Sequence, residues 1–290
     1  MSQDADPLAG ALRPLGGPLA GALHPLAGTL AGRVALVTGA SRGIGEAIAL
    51  RLAADGAAVA VTARTVEDGD HVLAGGIAAT VGAIVSAGGH AVAIPADLAL
   101  PEDRQRLIER TRAELGPIDV LVNNAAITYF EQVADFADRH YQLMFEVQVR
   151  APLDLAQRVL PEMRQRARGW ILNISSGAAR HPQGPPYGHA PGGTVYGMCK
   201  AALERFTTGL ASEVSRDGIA VNALSPSGLV LTPGVIHHGL DQRIPIEHHE
   251  PVAYMAEAAW LLCTGDPESL TGRVAYARPL LEEFDALPVG

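Results

Sequence analysis

The sequence predicts an α/β protein in which helices flank a parallel sheet, and two patterns support this prediction. Short apolar runs rich in β-branched residues, such as Val34 to Val37 and Ile118 to Val122, alternate with longer segments of helical periodicity. This alternation favours parallel strands joined by right-handed crossovers. The chain has 290 residues, of which 48% are apolar and 18% charged, so we expect one large core rather than two small domains.

The predicted elements follow one another along the whole of this domain. The predicted strands cover 34–37, 57–63, 90–95, 118–122, 170–173, 219–224 and 274–277. The predicted helices cover 43–55, 77–87, 101–115, 137–161, 194–214 and 252–263, and Ile84 and Val85 of the second helix are expected to face inward. The connections 65–76, 177–193 and 233–250 contain many helix-breaking or polar residues and are predicted to be irregular.

The first residues differ in composition from the rest. Pro-Leu-Ala-Gly recurs at 7–10, 18–21 and 25–28, and proline and glycine at this density prevent a continuous helix. Asp4 and Asp6 lie where a signal peptide has its basic residues, so we do not expect a secretory signal. Residues 1–31 are therefore predicted to be a flexible low-complexity arm, and residues 32–290 the folded domain.

Charge and cysteine content exclude several classes of partner. The net charge of −9 argues against nucleic acid or an anionic membrane as the main partner. No apolar run reaches the roughly eighteen residues that a membrane span needs. Cys199 and Cys263 are too few for a disulfide framework, which favours a reducing, cytoplasmic location.

A glycine-rich turn between the first strand and the first helix predicts an anion site. Gly39, Gly43 and Gly45 follow the strand, and a helical apolar pattern begins at Ile44. Free N–H groups and the positive end of the helix dipole meet there, where small residues let a pyrophosphate approach. The alternative interpretation is a turn that needs glycine only for its positive φ.

The end of the second strand indicates which dinucleotide fits. Sites for NAD place an acidic residue there to hold the ribose 2′-hydroxyl. Here the strand ends in Arg64, with no acid before Glu67, and Arg42 lies inside the glycine turn. Two arginines suit a 2′-phosphate, so we expect NADP(H) rather than NAD. The alternative is that both arginines are solvated surface charges.

Further polar residues follow the later strands. Asp97 follows the third strand and can accept a hydrogen bond from the adenine amino group, or can cap helix 101–115 instead. Asn123 and Asn124 follow the fourth strand and can link neighbouring strands. Tyr196 and Lys200 are four residues apart and therefore share one face of a helix.

Taken together, these motifs resemble the short-chain dehydrogenase/reductase family, in the family's order and over residues 33 to about 280. The matching motifs are Thr38-Gly39-x-x-x-Gly43-x-Gly45, Asp97, Asn123-Asn124-Ala125, Ser176, Tyr196-x-x-x-Lys200, and Asn222 before Pro226. The long loop after Arg64 and the step from Pro226 to Thr232 are similar to the hydroxysteroid-dehydrogenase-like branch. The resemblance implies a single doubly wound Rossmann-type domain.

The resemblance also implies a role for each site residue. Tyr196 would be the general acid/base, Lys200 would lower the pKa of that tyrosine and hold the nicotinamide ribose, and Ser176 would orient the substrate oxygen. Gln148 takes the place of an asparagine that supports a proton relay. The implied NADP(H) contacts are Gly39, Ser41, Arg42, Gly43, Ile44, Gly45, Arg64, Asp97, Leu98, Asn124, Ala125, Tyr196, Lys200 and Thr232.

The expected activity is that of an NADP(H)-dependent carbonyl reductase that interconverts a small-molecule ketone and its secondary alcohol. Two alternatives remain open: a reductase of 3-oxoacyl thioesters, and a protein that binds NADP as a sensor or scaffold without turnover. Gln148, and Ser227 directly after Pro226, depart from the family pattern and motivate the second alternative. An electropositive substrate mouth would favour the thioester, and an apolar pocket a steroid, terpenoid or aromatic ketone.

Assembly, a lid and a possible metal site complete the expectations. Helices 137–161 and 194–214 are expected to pair with their symmetry mates in a homodimer or homotetramer, through Leu143, Val147, Leu155, Leu203, Phe206 and Leu210. Residues 233–250 are expected to close over the substrate. The histidines at 181, 189, 237, 238, 248 and 249 are expected to surround the substrate entrance, and their spacing completes no metal site.

Overall fold

The computed structural model describes residues 29–185, 187, 192–242 and 244–288. Its strands are β1 (Val34–Thr38), β2 (Ala58–Thr62), β3 (His90–Ala93), β4 (Val120–Asn123), β5 (Gly169–Ile174), β6 (Ile219–Ser225) and β7 (Val274–Tyr276). They form a seven-stranded sheet in the order β3-β2-β1-β4-β5-β6-β7, in which every neighbouring pair is parallel. The predicted fold class is confirmed.

Helices cover both faces of this sheet. They are α1 (Gly43–Ala54), α2 (Ile77–Ser86), α3 (Pro101–Leu115), α4 (Asp138–Phe145), α5 (Ala151–Arg166), α6 (Thr194–Glu213), α7 (Pro233–His237), α8 (Val252–Thr264) and α9 (Ala277–Glu283). A turn of π-helix, Glu146–Arg150, joins α4 to α5. Short 3₁₀ turns lie at Val133–Asp135, Gly177–Ala179 and Ile246–His248.

The core is divided between the two faces of the sheet. In β1, Ala35 and Val37 point towards the cluster formed with α1 and α8, whereas Leu36 points towards the cluster formed with α3, α5 and α6. Successive strand residues face opposite sides, so a sheet covered on both faces buries nearly every residue of its central strands. This explains the short continuous apolar runs in the sequence.

The strand order places the future site. Since β1 pairs with both β2 and β4, the order of the sheet reverses between β1 and β4. At such a reversal the loops after the two strands separate and leave a crevice at the carboxyl edge of the sheet. The residues that follow β1, β2, β4, β5 and β6 all lie along this edge.

The predicted helix over 137–161 is wrong in one important detail. The segment is helical from Asp138 to Arg166, but a π-turn at Glu146–Arg150 divides it into α4 and α5. A π-turn adds one residue to the helical turn and is common at functional sites. It changes the direction of the side chains around Gln148.

Three smaller expectations also differ from the structure. Val85 is 53% exposed, and only Ile84 of that pair is buried. Residues 233–237 form α7, because Pro233 occupies the first helical turn and the Thr232 hydroxyl accepts a hydrogen bond from the Val235 N–H. Residues 277–283, for which no helix was predicted, form α9.

A buried arginine connects three parts of the chain. Arg104 of α3 is 1% exposed, and its guanidinium donates to Asp154 of α5 and to Glu146 of the π-turn, each at 2.7 Å. It also donates to the Leu98 carbonyl after β3. A buried guanidinium is tolerated when such partners neutralise it, and these contacts fix the π-turn against the loop after β3.

The folded domain begins slightly earlier than predicted. Leu30 is fully buried in the core, and its N–H donates to Asp55 at the end of α1. The remainder of the predicted arm, residues 1–28, lies outside the described residues. Among the described residues, no helix is both long and apolar enough to cross a membrane.

Candidate active site

The turn between β1 and α1 has the geometry of an anion site. Gly39 and Gly43 have φ values of 65° and 62°, a region that glycine adopts without strain. Helix α1 begins at Gly43, and no side chain of the described residues caps its first N–H groups. Those N–H groups and the helix dipole are therefore free to bind a phosphate. Ser41 is buried, and Ile44 packs on the core beside the turn.

The glycines are also required by close packing. A Cβ on Gly39 would lie 2.7 Å from the Ala125 Cα, and a Cβ on Gly45 would collide with the Asn124 side chain. The Asn124 amide donates to the Thr38 and Gly39 carbonyls at 2.9 and 3.0 Å. These bonds join the ends of β1 and β4, as expected for this pair. Both interpretations of the glycines therefore hold: the turn needs positive φ, and it forms an open helix N-terminus.

A second amide link joins β4 to β5. The Asn123 Nδ2 donates to the Asn173 Oδ1 at 2.9 Å, and Asn173 in turn donates to Thr207 of α6. The chain of buried amides fixes helix α6, which carries Tyr196 and Lys200, against the sheet edge.

The two arginines at the adenosine end have different surroundings. Arg64 is 54% exposed at the end of β2, with the Asp97 carboxylate 3.9 Å away. Arg42 donates three hydrogen bonds, at 2.7 to 3.0 Å, to the carbonyls of Leu73, Ala74 and Gly75. Arg42 therefore holds the 65–76 loop against the glycine turn, while Arg64 points its charge at solvent.

Sequence reasoning missed a third basic residue at this end. The His71 Nδ1 accepts a hydrogen bond from the Leu73 N–H at 3.1 Å within the same loop. Partial desolvation and the nearby charges of Arg42 and Arg64 lower the pKa of His71. No sequence pattern indicates His71, because the loop has no periodicity and is held against the glycine turn by the Arg42 hydrogen bonds.

Asp97 and Leu98 lie beside Arg64. Asp97 Oδ1 accepts a hydrogen bond from the Ala99 N–H at 3.0 Å, which stabilises the turn before α3, while Leu100 is the residue at the start of that helix. The Leu98 side chain is buried in the core and its carbonyl accepts from Arg104. Leu98 can therefore offer a ligand its backbone N–H rather than its side chain.

Of the two serines after β5, Ser176 is the one available for chemistry. The Ser175 hydroxyl is buried and donates to Glu204 at 2.7 Å. Ser176 is partly exposed, accepts a hydrogen bond from the Ala178 N–H at 3.2 Å and lies beside the phenol of Tyr196. This supports the choice of Ser176 over Ser175.

Tyr196 and Lys200 lie on the same face of α6, as predicted. Lys200 Nζ is 5.6 Å from the centre of the Tyr196 ring and donates to the Ile174 carbonyl at 2.9 Å. Burial lowers the pKa of Lys200 to about 8. Burial raises the pKa of Tyr196, which the Ser176 hydroxyl opposes. The expected lowering of the tyrosine pKa is therefore not seen, because desolvation by burial has the largest effect on this pKa and raises it.

Composition supplies a further signal that sequence reasoning missed. Of the 22 basic residues counted as Lys or Arg, Lys200 is the one lysine. A buried amine can give up its proton near neutral pH, whereas an arginine cannot. A chain that otherwise uses arginine therefore keeps lysine where a compact, titratable cation is needed.

Gln148 lies in the π-turn and is almost completely buried. Its Nε2 donates to the Ile127 carbonyl at 2.9 Å, while its Oε1 has no hydrogen-bond partner among the described residues. A buried amide oxygen without a partner is costly unless a water or ligand supplies a donor. Gln148 thus presents an acceptor inside the site, on the turn that widens the helix.

A cavity of about 550 Å³ opens beside Phe130, which contacts Tyr196. It is lined by Thr128, Tyr129, Phe130, Glu131, Gln132, Gly192, His237 and His238. The Phe130 ring contacts Tyr196 edge-on, with centroids 6.2 Å apart, and contacts His238 at 5.2 Å. Phe130 therefore links Tyr196 to His238, which follows α7. The aromatic pair Tyr129-Phe130, which follows Asn124-Ala125-Ala126 after two further residues, was the signal that could have indicated this wall.

The loop after β6 returns to the glycine turn. Thr232 lies against Gly43, where an added Cβ would approach the Thr232 methyl group to 3.0 Å. The loop 226–232, which joins β6 to α7, ends at this contact. The predicted site residue Thr232 is therefore brought to the phosphate-binding turn.

Two of the six histidines expected at the substrate entrance line the cavity. His237 and His238 line the cavity and stack edge-on at 5.3 Å, whereas His181 and His248 are exposed, and His189 is outside the described residues. Partial desolvation and the neighbouring His237 lower the pKa of His238. Within the described part of the chain, no group of three or more His, Cys, Asp or Glu side chains could hold a metal ion.

Known proteins are similar to most of the length of this chain. Residues 33–241 match the sequence profile of the short chain dehydrogenases. The short-chain reductase protein NovJ of Streptomyces niveus is 36% identical over 247 residues, which cover 85% of this chain and 87% of the relative.

Solved structures share the fold over a similar length. A metagenomic short-chain oxidoreductase in complex with NADP is 30% identical, with a TM-score of 0.70 over 86% of this chain and 97% of its own. A 3-oxoacyl (acyl-carrier-protein) reductase from Agrobacterium tumefaciens C58, with NADP bound, is 29% identical, with a TM-score of 0.72 over 85% of this chain and 93% of its own.

Proposed function

This chain belongs to the short-chain dehydrogenase family, and from that premise we propose that it is an NADP(H)-dependent oxidoreductase that interconverts a ketone and a secondary alcohol. The observation that carries the proposal is the placement of Ser176, Tyr196 and Lys200 together at the carboxyl edge of the sheet. The same edge carries the open glycine turn that suits a pyrophosphate. Hydride transfer requires the residues that act on the substrate to lie next to the residues that bind the cofactor.

The cofactor assignment rests on charge and space. The glycine turn leaves the N-terminus of α1 open, Thr232 borders it, and the exposed Arg64 lies where the ribose 2′-position is expected. Two solved relatives carry NADP by their own descriptions, which supports the same cofactor here. When bound, the nicotinamide supplies or accepts the hydride.

Separate side chains orient the substrate, donate the proton and stabilise the resulting charge. Ser176 donates a hydrogen bond to the substrate carbonyl oxygen and orients it. Tyr196 gives its phenolic proton to that oxygen, and the charge of Lys200 stabilises the resulting phenolate. Gln148 holds, through its unpaired Oε1, a water that lets Lys200 exchange protons with solvent.

The cavity lining favours an uncharged, flat substrate. Its described residues include the rings of Tyr129 and Phe130 and two histidines, and they include one acid, Glu131, but no lysine or arginine. A thioester on an acidic carrier protein would gain from a basic entrance. The lining therefore supports an aromatic or alicyclic ketone over a 3-oxoacyl thioester, although one solved relative is named for the latter substrate.

The buried, unpaired state of both cysteines is compatible with the reducing compartment expected from the sequence. We propose a cytoplasmic enzyme on that basis.

The test is Tyr196→Phe assayed for NADPH consumption with a panel of aromatic and alicyclic ketones. We expect a loss of about 10²–10⁴-fold in kcat with NADPH binding largely kept, because the substitution removes the proton donor alone. Tyr141→Phe, on the exposed face of α4, is the matched control and should retain full activity. NADPH binding by the wild type without turnover of any ketone would favour the sensor or scaffold instead.

A further inference from the structure

The two ends of the predicted lid, residues 233–250, lie close together. We call the contacts between the residues at these two ends the base of the lid. Leu229 and His249 form a parallel bridge, in which the Leu229 N–H donates to the His248 carbonyl at 2.8 Å and the Glu250 N–H donates to the Leu229 carbonyl at 2.9 Å. Gly228 lies so close to the His248 carbonyl that an added Cβ would collide with it. The two ends of the lid are therefore held together by backbone contacts.

A buried carboxylate reinforces this base. Glu250 is 7% exposed, and its Oε2 accepts a hydrogen bond from the Ser227 N–H at 3.1 Å. The Ser227 Oγ in turn accepts from the Arg278 N–H of α9 at 3.0 Å. Ser227 is one of the two departures from the family pattern in the sequence, and here it joins the lid to the last helix.

The segment that Glu250 holds ends at the phosphate-binding turn. Residues 227–232 run from the Ser227 contact to Thr232, which packs against Gly43 and caps α7 of the lid. A shift of Ser227 would therefore be transmitted to Thr232 over five residues. We call Ser227, Glu250 and Arg278 the clasp.

We propose that Glu250 is a positioning residue for cofactor binding, acting through Ser227 to fix residues 227–232 against the glycine turn and to hold the base of the lid closed. The inference rests on the proposed function, since it assigns the clasp to the NADPH side of that site.

Electrostatics make the clasp sensitive to the charge on Glu250. Burial raises the pKa of this carboxyl, while the hydrogen bonds from Ser227 and Gly228 and the charge of Arg278 oppose the rise. The other charged or titratable groups nearby are His248 and His249 at the lid end, Tyr254 on α8, and Glu282, which pairs with Arg278. The protonated carboxyl is a weaker acceptor for the Ser227 N–H than the carboxylate.

The test compares Glu250→Gln and Glu250→Ala with the wild type in steady-state kinetics and direct NADPH titration. Because a hydrogen bond to a charged acceptor is lost, we expect Glu250→Ala to raise the KM and Kd for NADPH about tenfold, with a much smaller change in kcat. Glu250→Gln keeps an acceptor oxygen without the charge and should lie between the two. Glu247→Gln, an exposed lid glutamate three residues away, is the matched control and should behave as the wild type.

The pH dependence of the KM for NADPH distinguishes a positioning role of Glu250 from a general structural role. In the wild type the KM for NADPH should rise as the pH falls through the titration of Glu250. That rise should be absent in Glu250→Gln, although the nearby histidines are unchanged. Ser227→Ala keeps the backbone N–H that donates to Glu250 but removes the hydroxyl, whose hydrogen bond lowers the pKa of Glu250. The rise in the KM for NADPH should therefore begin at a higher pH in Ser227→Ala than in the wild type.

The outcomes distinguish this inference from the proposed function. If the wild type binds NADPH and reduces ketones but Glu250→Gln matches it in KM at every pH, the clasp has no part in cofactor binding and the inference is overturned. Equal losses in kcat and melting temperature in Glu250→Gln, without a change in NADPH affinity, would overturn it as well. If the wild type does not bind NADPH, the proposed function itself fails.

Discussion

Lys200 combines three properties at one position: it is the one lysine of the chain, it is buried, and it donates to a backbone carbonyl beside Tyr196. Its pKa, lowered to about 8 by burial, lies inside the range in which such enzymes are assayed. The free protein therefore carries a charge there below that pH and loses it above.

This gives a prediction for cofactor binding. The ammonium attracts the anionic cofactor and donates to its ribose, so NADPH affinity should be highest below pH 8 and should fall as the pH rises through that value. Isothermal titration between pH 6.5 and 9.5 measures the effect. Lys200→Met should bind more weakly and show no such step. A step of equal size in Lys200→Met would assign it to another group.

The two arginines allow a sharper prediction than the sequence did. Since Arg42 already holds loop carbonyls, Arg64 should provide the charge for the 2′-phosphate. Arg64→Asp should weaken NADPH relative to NADH in kcat/KM by about tenfold or more. Arg42→Ala should weaken both cofactors together, because it releases the 65–76 loop.

The control for this experiment is Arg216→Asp, an exposed arginine just before β6 and thus at the opposite edge of the sheet. A wild type that uses NADH as well as NADPH would contradict the assignment of Arg64.

At the scale of secondary structure, the sequence located every strand to within a few residues but missed the π-turn. Strands are detected by apolar runs, and all seven carry such a run or pair with a strand that does. The π-turn has no period of its own. It depends on Arg104, which is distant in sequence and meets Glu146 only after α3 and α5 have packed.

The π-turn is also the place to test the proton relay. If Gln148 is an extended equivalent of the family asparagine, Gln148→Asn should keep or raise kcat. If the extra residue of the π-turn has moved the backbone away, the shorter side chain cannot reach, and kcat should fall about a hundredfold.

The geometry favours the second outcome, because Gln148 already reaches the Ile127 carbonyl at 2.9 Å with its full length. Single-turnover measurements, with the fold checked by circular dichroism, should therefore show the loss. An unchanged kcat would show that the relay tolerates the shorter amide.

At the scale of the whole molecule, the set of apolar residues predicted to form the subunit interface must be changed. Leu155 and Leu210 are buried within the domain, so they serve the core rather than a partner, and Leu203 is also buried but borders a groove between the helices. The same helices nevertheless leave an open groove of about 450 Å³, lined by Tyr141, Gln142, Phe145, Glu146, Val149, Arg150, Leu153, Leu203 and Phe206. We propose this groove as the contact between two copies of the chain.

A charge in the groove tests the assembly. Val149→Glu with Phe206→Glu should convert the oligomer to a monomer, because two buried carboxylates in a symmetric interface repel and are poorly solvated. Light scattering at micromolar concentration measures the mass. Val85→Glu, an exposed apolar residue on α2, is the control. A monomeric wild type would contradict the proposal.

The general position of the site could be predicted from the sequence, whereas its walls could not. The glycines form a short motif, and so do Tyr196 and Lys200. Such motifs can be recognised in the sequence because their residues lie close together along the chain. Phe130, His71 and Glu250 come from irregular loops, and each reaches the site only through contacts with residues far along the chain.

The Arg104 contacts have a consequence for how this chain can be recombined with its relatives. Most of the dinucleotide half lies before residue 125 and most of the substrate half after it, so an exchange of halves at that point looks natural. Such a chimaera would inherit Arg104 from one parent and the residues at 146 and 154 from the other. Unless the second parent also carries acids there, a buried guanidinium would lose its partners, at a cost of about 3–5 kcal/mol. Arg104, Glu146 and Asp154 should therefore come from the same parent, and chimaeras that keep all three together should fold.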